Sequence, residues 1–378
     1  MKRISYYIYI IGVCATMLLA SCANRVAETN GERIHTQYAS LLHMEQNDSF
    51  TVVNVSNPWN AHHQLAQYVL VPRSQPLPHQ LPQGTIVRTP LQRAAITSSV
   101  HAALLLELHA ADAIAAMTDT SYIVADTLKD YLRQHAHRIR SAGQSMSPDL
   151  EQLRAAQTDA ILVSPFENAG HGSLDRLDIP LIECADYMET SPLARAEWMK
   201  FYGMLFGQAE RADSLFTEVE KAYNAIKAQA AKHAPKPTVM CDMRMGNVWY
   251  QPGGNSTMGR LITDASGRYL WADREESGSL SLDFESVFAR AKQADVWLIK
   301  YGQPTDLTYA QMAADFQPYT QFAAWKSRHI YACNTLRVPY FEETPFHPER
   351  VLRNLYEIFC GIRSTPSEKS STYYTPLR

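Results

Sequence analysis

Apolar residues recur at Trp198, Phe201, Tyr202, Leu205, Phe206, Ala209, Ala212, Leu215, Phe216, Val219, Tyr223 and Ile226, a sustained three-or-four spacing with one apolar face. Ser191 followed by Pro192 supplies a helix start, and Pro235 lies beyond the far end. From Leu193 to Ala231 a single helix would run roughly 55–60 Å at about 1.5 Å per residue, longer than one small domain is wide. Gly203 and Gly207 weaken it locally and are where a kink is expected. Such an element is either a long core helix of one domain or a stiff spine joining two.

What flanks it favours the spine. Short apolar runs at Ala94 to Thr97, Ala160 to Val163, Pro180 to Ile182, Thr238 to Met240, Val296 to Ile299 and Ile330 to Tyr331 read as strands. Helical stretches such as Val100 to Leu108 and Phe284 to Ala291 lie between them, the alternation of layered, largely parallel sheets. An internal echo links the two sides. Ser147-Pro148-Asp149-Leu150-Glu151 precedes Asp159 and a strand, and Ser281-Leu282-Asp283-Phe284-Glu285 precedes Asp295 and a strand. Upstream, Thr51 to Val55 and Tyr68 to Val71 read as a hairpin, followed by a Pro-rich segment from Pro72 to Pro90.

The first residues set the location. Lys2 and Arg3 precede an apolar run from Tyr6 to Ala20 that closes on Leu19-Ala20-Ser21-Cys22. A basic head, a short apolar body and a small residue before the cut mark an export signal, not a membrane span. Cysteine directly after the cut resembles the lipobox of bacterial lipoproteins. Residues 1–21 are therefore read as signal peptide and Cys22 as the lipidated first residue of a chain facing the periplasm. Residues 22–48 read as a polar, aperiodic tether. Cys184, Cys241, Cys333 and Cys360 allow three pairings among which sequence cannot choose, and they are read as structural. A net charge of −3 with no clustered Lys/Arg run excludes nucleic acid as a partner.

A lipobox, an α/β lobe, one long helix and a second α/β lobe together resemble the substrate-binding proteins of ABC importers for iron complexes, haem and cobalamin. Arg93 to Ser99, with the helix His101 to Leu108, is similar to that family's first strand, ligand-facing loop and helix. Asp149 to Val163 is similar to its Asn-Pro-Glu-x-Ile…Pro-Asp-Leu-Val motif, and Pro252 to Ser256 with Leu261-Ile262 to the start of the second lobe's Gly-rich loop and helix. The resemblance spans roughly residues 85 to 362. It implies two α/β lobes with mainly parallel sheets, joined by a single long spine helix, with a ligand cleft between them. The expected division is an N-terminal lobe over 49–190, the spine over 191–234, a C-terminal lobe over 235–363 and an extension over 364–378. It further implies a monomer that is no enzyme, carries no intrinsic cofactor, and works with a permease and its ATPase subunits. Glu151 and Glu285 match the family's permease-docking glutamates, although an acidic residue in a helix's first turn is also favourable with the helix dipole.

The cleft loops expected from this resemblance contain Ser99, His101, Phe166, Asn168, Arg244, Trp249, Tyr250, Arg337 and Tyr340. Phe166, Trp249, Tyr250 and Tyr340 can stack on a flat ligand. Arg244 and Arg337 can pair with carboxylate, catecholate or phosphate oxygens. His101, His171 and Tyr250 can ligate an iron centre. The expected cargo is a ferric siderophore or haem, with cobalamin as the alternative. Gly253-Gly254-Asn255-Ser256 lacks the spacing of a nucleotide-binding loop, and neither a GxSxG elbow nor an HExxH pair is present. A surface-anchored chelatase or hydrolase, and an adhesion protein with a large exposed apolar patch, are the competing classes.

Overall fold

A computed structural model describes residues 31–60, 62–234, 236–361 and 372–378. The expected signal peptide over 1–21, Cys22, and residues 364–371 of the expected extension lie outside the described residues.

The N-terminal lobe is built on a parallel sheet of β6 (Ala94–Ile96), β7 (Ile114–Met117), β8 (Arg140–Ser141), β11 (Ala160–Val163) and β12 (Leu181–Glu183), in the order β12-β11-β6-β7-β8. Between β8 and β11 lies a small hairpin of β9 (Gly143–Gln144) and β10 (Ser147–Pro148). β6, β7 and β11 are buried along their length, because α1 (Ser99–Glu107), α2 (Asp126–Gln134) and α3 (Leu150–Ala155) belong to βα units that cover the sheet. β6 ends at Ile96, one residue short of the apolar run read from the sequence, and Ile114 to Met117, equally apolar, forms the further strand β7.

The C-terminal lobe repeats this plan. β13 (Thr238–Cys241), β16 (Arg268–Tyr269), β18 (Val296–Tyr301), β19 (Ile330–Asn334) and β20 (Thr375–Pro376) pair in the order β16-β13-β18-β19-β20, parallel except for β20. β14 (Arg244–Met245), β15 (Val248–Pro252) and β17 (Ser279–Leu282) form a smaller antiparallel sheet. The helices are α7 (Thr257–Asp264), α8 (Phe284–Ala291), α9 (Tyr309–Asp315), α10 (Ala323–Lys326), α11 (Tyr340–Glu343) and α12 (Pro348–Phe359). The sequence echo has a shared physical origin in the two lobes. Asp149 caps α3 by accepting from Glu151 and Gln152 N–H, and Asp283 caps α8 by accepting from Ser286 N–H. Asp159 and Asp295 each clamp the start of the neighbouring strand: Asp159 accepts from Gln92 and Arg93 N–H, and Asp295 from Thr238 N–H at 2.7 Å.

Two expectations about extent are corrected. Helical structure fills the spine region, but as α4 (Pro192–Glu197), α5 (Met199–Leu205) and α6 (Ala209–Ala230). The long helix is α6, whose 22 residues span about 33 Å. Gly207, at φ +70°, ends α5: its N–H and that of Gln208 reach back to the carbonyls of Met204 and Gly203, the glycine-dependent helix stop. The apolar spacing runs through this break unchanged because α5 and α6 pack on each other; a Cβ at Gly203 would lie 2.5 Å from Ala212 Cβ. α6 starts beside the first lobe, where Arg211 donates to the Glu107 carbonyl. It ends on the second, where Tyr223 donates to Asp264 at 2.7 Å.

The second correction concerns the tether. Its described part holds β1 (Glu32–Ile34) and β2 (Leu42–Gln46), which join β3 (Thr51–Ser56), β4 (Gln64–Pro72) and β5 (Thr85–Thr89) in one sheet. β3 and β4 are the expected hairpin strands, Thr51 opposite Leu70. Leu42 and Met44 alternate with polar neighbours and are fully buried, a period-two signal too short to stand out in a polar context. The segment before β2 is pinned by two buried carboxylates: Glu197 accepts from the N–H groups of Gln37, Tyr38 and Ala39, and Glu189 from those of Ser40 and Leu41. This sheet meets the main lobe at Tyr68, whose hydroxyl donates to Leu181 O at 3.1 Å and accepts from Glu183 N–H at 2.7 Å on the outermost strand, β12.

Candidate ligand-binding cleft

Open α/β sheets bind ligands beyond the carboxyl ends of their strands, where loops diverge and backbone groups are free. In the N-terminal lobe the loops after β6, β7 and β11, with the β9–β10 turn, enclose a pocket of about 470 Å³. Ser98 caps α1, accepting from Val100 N–H, so Ser98 and Ser99 sit at the pocket wall. Asp119, in the left-handed region at φ 53°, turns its carboxylate onto Ser145 N–H at 3.1 Å and holds the β9–β10 turn against the site. His171 bonds Glu183 at 2.8 Å, and that hydrogen bond raises its pKa above the ordinary histidine value. Large side chains stand exposed among the lining residues: Tyr122 (65%), Met146 (79%) and Phe166 (52%).

Of the residues expected in the cleft, Ser99 and Phe166 line this pocket, as does His171. Asn168 occupies the tip of the neighbouring turn at φ 54°, exposed but outside the lining. Three expectations are corrected by burial. His101 is 5% exposed and bonds Asp186 at 2.9 Å and Tyr202 at 3.1 Å, facing into the core because the third position of α1 turns away from the loop. Trp249 is fully buried among Trp297, Tyr319 and Phe322, with its indole N–H on Cys241 O, since β15 points alternate side chains inward. Tyr340 is buried against Tyr373 and Tyr374.

Tyr250, next along β15, is exposed. Arg244 lies 3.9 Å from the Phe316 ring centroid and donates to Gly246 O. Arg337 pairs with Asp306 at 2.7 Å and borders a second concavity, of about 340 Å³, at the carboxyl ends of β18 and β19. The Gly-rich stretch also has a packing origin: a Cβ on Gly253 would meet Glu276 O at 2.0 Å, and one on Gly254 would meet Arg274 O at 2.4 Å. Asp119 and Tyr122 follow the strand Ile114 to Met117, whose four apolar residues were the available signal, whereas Ser145 and Met146 sit in the turn between β9 and β10, strands of two residues each that leave no periodic signal.

The lobes meet beside this pocket. Glu342 on α11 accepts from Val124 N–H at 2.7 Å and Ala125 N–H at 3.1 Å, at the start of α2 and just after the Tyr122 wall. Behind it His347 bonds Glu107, the last residue of α1, at 2.5 Å. Leu336 and Phe341 of the second lobe are exposed on either side of Tyr340 in the chain.

Residues 95–335, more than half of the chain, match the periplasmic binding protein family. The chain belongs to that family. Its members are substrate-binding transport proteins rather than enzymes, and they work with ABC permeases. An uncharacterized lipoprotein of Methanocaldococcus jannaschii is 24% identical over 264 residues, 65% of this chain and 60% of the relative, so the chain spans about 60% of that relative's length. Among solved structures, an Fe3+-hydroxamate transport system protein of Saccharomonospora viridis superposes with a TM-score of 0.56 at 18% identity, covering 71% of this chain and 93% of that one. The haem complex of S. aureus IsdE gives 0.54 at 18% identity, with 71% and 98% covered. The vitamin B12 binding protein BtuF of Vibrio cholerae gives 0.52 at 11% identity, with 71% and 97% covered. These likenesses establish a two-lobed periplasmic-binding-protein fold for this chain.

Proposed function

We propose that this chain is a lipid-anchored, extracytoplasmic substrate-binding protein. It captures an iron complex, a ferric siderophore or haem, and delivers it to the permease of an ABC importer, whose ATPase subunits supply the energy. Cobalamin is the second cargo reading. The observation that carries the proposal is an open pocket at the carboxyl ends of the first lobe's strands, beside the line where the second lobe is clasped, in a chain of this family. Its exposed Tyr122, Met146 and Phe166 suit the apolar body of a bulky complex, and its hydroxyls suit oxygen-rich chelating groups. Phe166, Asn168, Tyr250 and Arg337 are the expected side chains still exposed for a ligand held between the lobes. The lipoprotein name of the Methanocaldococcus relative supports the anchor reading of Cys22.

Calorimetric titration of the soluble part with a ferric siderophore, haemin and cobalamin tests this. Micromolar or tighter binding of at least one is expected, about −8 kcal/mol. Binding of none, with hydrolytic or chelatase turnover instead, overturns the transport reading. The anchor has its own test: Cys22→Ala should abolish lipid labelling and leave cargo affinity of the folded part intact, whereas undiminished labelling excludes Cys22.

A further inference from the structure

We propose that the cleft selects its cargo by charge, taking metal complexes that are uncharged overall, of the ferric tris-hydroxamate or corrinoid kind, and discriminating against polyanionic ones. This narrows the ligand-binding reading above, setting haem and catecholate siderophores aside within it, and rests on it. Among the described residues, the lining side chains that carry charge near neutrality are Asp119 and His171, and His171 is neutralised by Glu183 at 2.8 Å. Ser99, Ser145, Ser164 and Ser173 contribute hydroxyls that no side-chain hydrogen bond within the described residues engages. Hydroxyls donate to hydroxamate or amide oxygens and accept from amide N–H groups without adding net charge.

A ferric tris-catecholate is a trianion and haem carries two propionates. Such groups are ordinarily met by guanidinium forks or ammonium groups, because an anion taken from water without a counter-charge is costly. The cations at the strand ends of the second lobe stand away from this pocket or are paired. Lys300 is held by Asp242 at 3.3 Å, Arg337 and Arg378 share the Asp306 carboxylate at 2.7 and 3.5 Å around a separate concavity, and Arg244 lies over the Phe316 ring and donates to Gly246 O. Among the described lining residues, the Asp119 carboxylate is the charge left without an opposite partner, and it repels anions.

The test is a titration of the purified protein with three iron complexes: a neutral tris-hydroxamate, a trianionic tris-catecholate and haemin, with cobalamin alongside. The hydroxamate or cobalamin should bind at least about tenfold more tightly than either anionic complex. Raising salt from low to physiological strength should narrow that gap, because it is electrostatic. Asp119→Asn keeps an oxygen for Ser145 N–H and suits the left-handed backbone, so the fold should persist while the catecholate gains several-fold in affinity. A catecholate or haemin bound as tightly as the neutral complexes, or a gap indifferent to both salt and Asp119→Asn, overturns charge selection while leaving the transport reading in place. Binding of none of the four removes that reading and this one with it.

Discussion

His101, Asp186 and Tyr202 close a buried triangle, with Arg195 on the second oxygen of Asp186 at 3.1 Å. Burial alone would raise the Asp186 pKa, yet the charge and hydrogen bond of His101, with Arg195 and Tyr202, hold it below the ordinary carboxylate value. A histidine three residues into a helix after a Ser-Ser loop has the sequence context of a ligand contact, and the carboxylate that claims it is 85 positions away. That distance is why sequence alone misplaced it. His101→Ala should therefore cost stability, about 3 kcal/mol in denaturant unfolding, because a buried carboxylate loses a partner. Cargo affinity should remain within about twofold of wild type. A tenfold loss of affinity at unchanged stability would return His101 to the site.

Among the elements, α3 and α8 occupy equivalent places, each entered through a capping aspartate and each carrying an exposed glutamate in its first turn, Glu151 and Glu285. If these meet permease arginines, Glu151→Lys or Glu285→Lys should impair uptake while leaving cargo affinity nearly unchanged. Close charge pairs across an interface couple by roughly 1.5–7 kcal/mol, whereas a helix-dipole role is worth within about 1 kcal/mol. Uptake, affinity and melting temperature measured on the same variants separate the two. Full uptake with a lowered melting temperature would assign the glutamates to the helices alone. The echo that identified these residues was legible because capping chemistry is local and repeats when a fold repeats. The break in the spine was not, since Gly207 interrupts the backbone without interrupting the apolar phase. β1 and β2 escaped for the opposite reason: their apolar signal is short, and the carboxylates that pin the segment between them, Glu197 and Glu189, lie 158 and 148 positions away in the chain.

At the scale of the molecule, the lobes are tied by Glu342 on one side and His347 on the other. Burial would lower the His347 pKa, but hydrogen bonds to Glu107 and Glu349 prevail and raise it to about 9. A raised pKa stabilises the fold fully below the unfolded value near 6.5, and that contribution fades as pH climbs through about 9. Between pH 6.5 and 9.5 the wild type should lose on the order of 3 kcal/mol that His347→Gln does not, read from denaturant midpoints. Equal losses in both proteins would dissociate this contact from stability. The general plan of two lobes was legible from strand runs and the long amphipathic stretch. The pocket was only half legible, because its far wall follows a strand of just four residues, Ile114 to Met117. The Tyr68 hydroxyl at β12 has a further consequence. By donating to Leu181 O and accepting from Glu183 N–H, one phenol stands in for the peptide group of an absent sixth strand. Copies crowded together would meet, at that edge, a strand with two of its backbone groups already taken, which weakens it as a template for sheet-to-sheet aggregation.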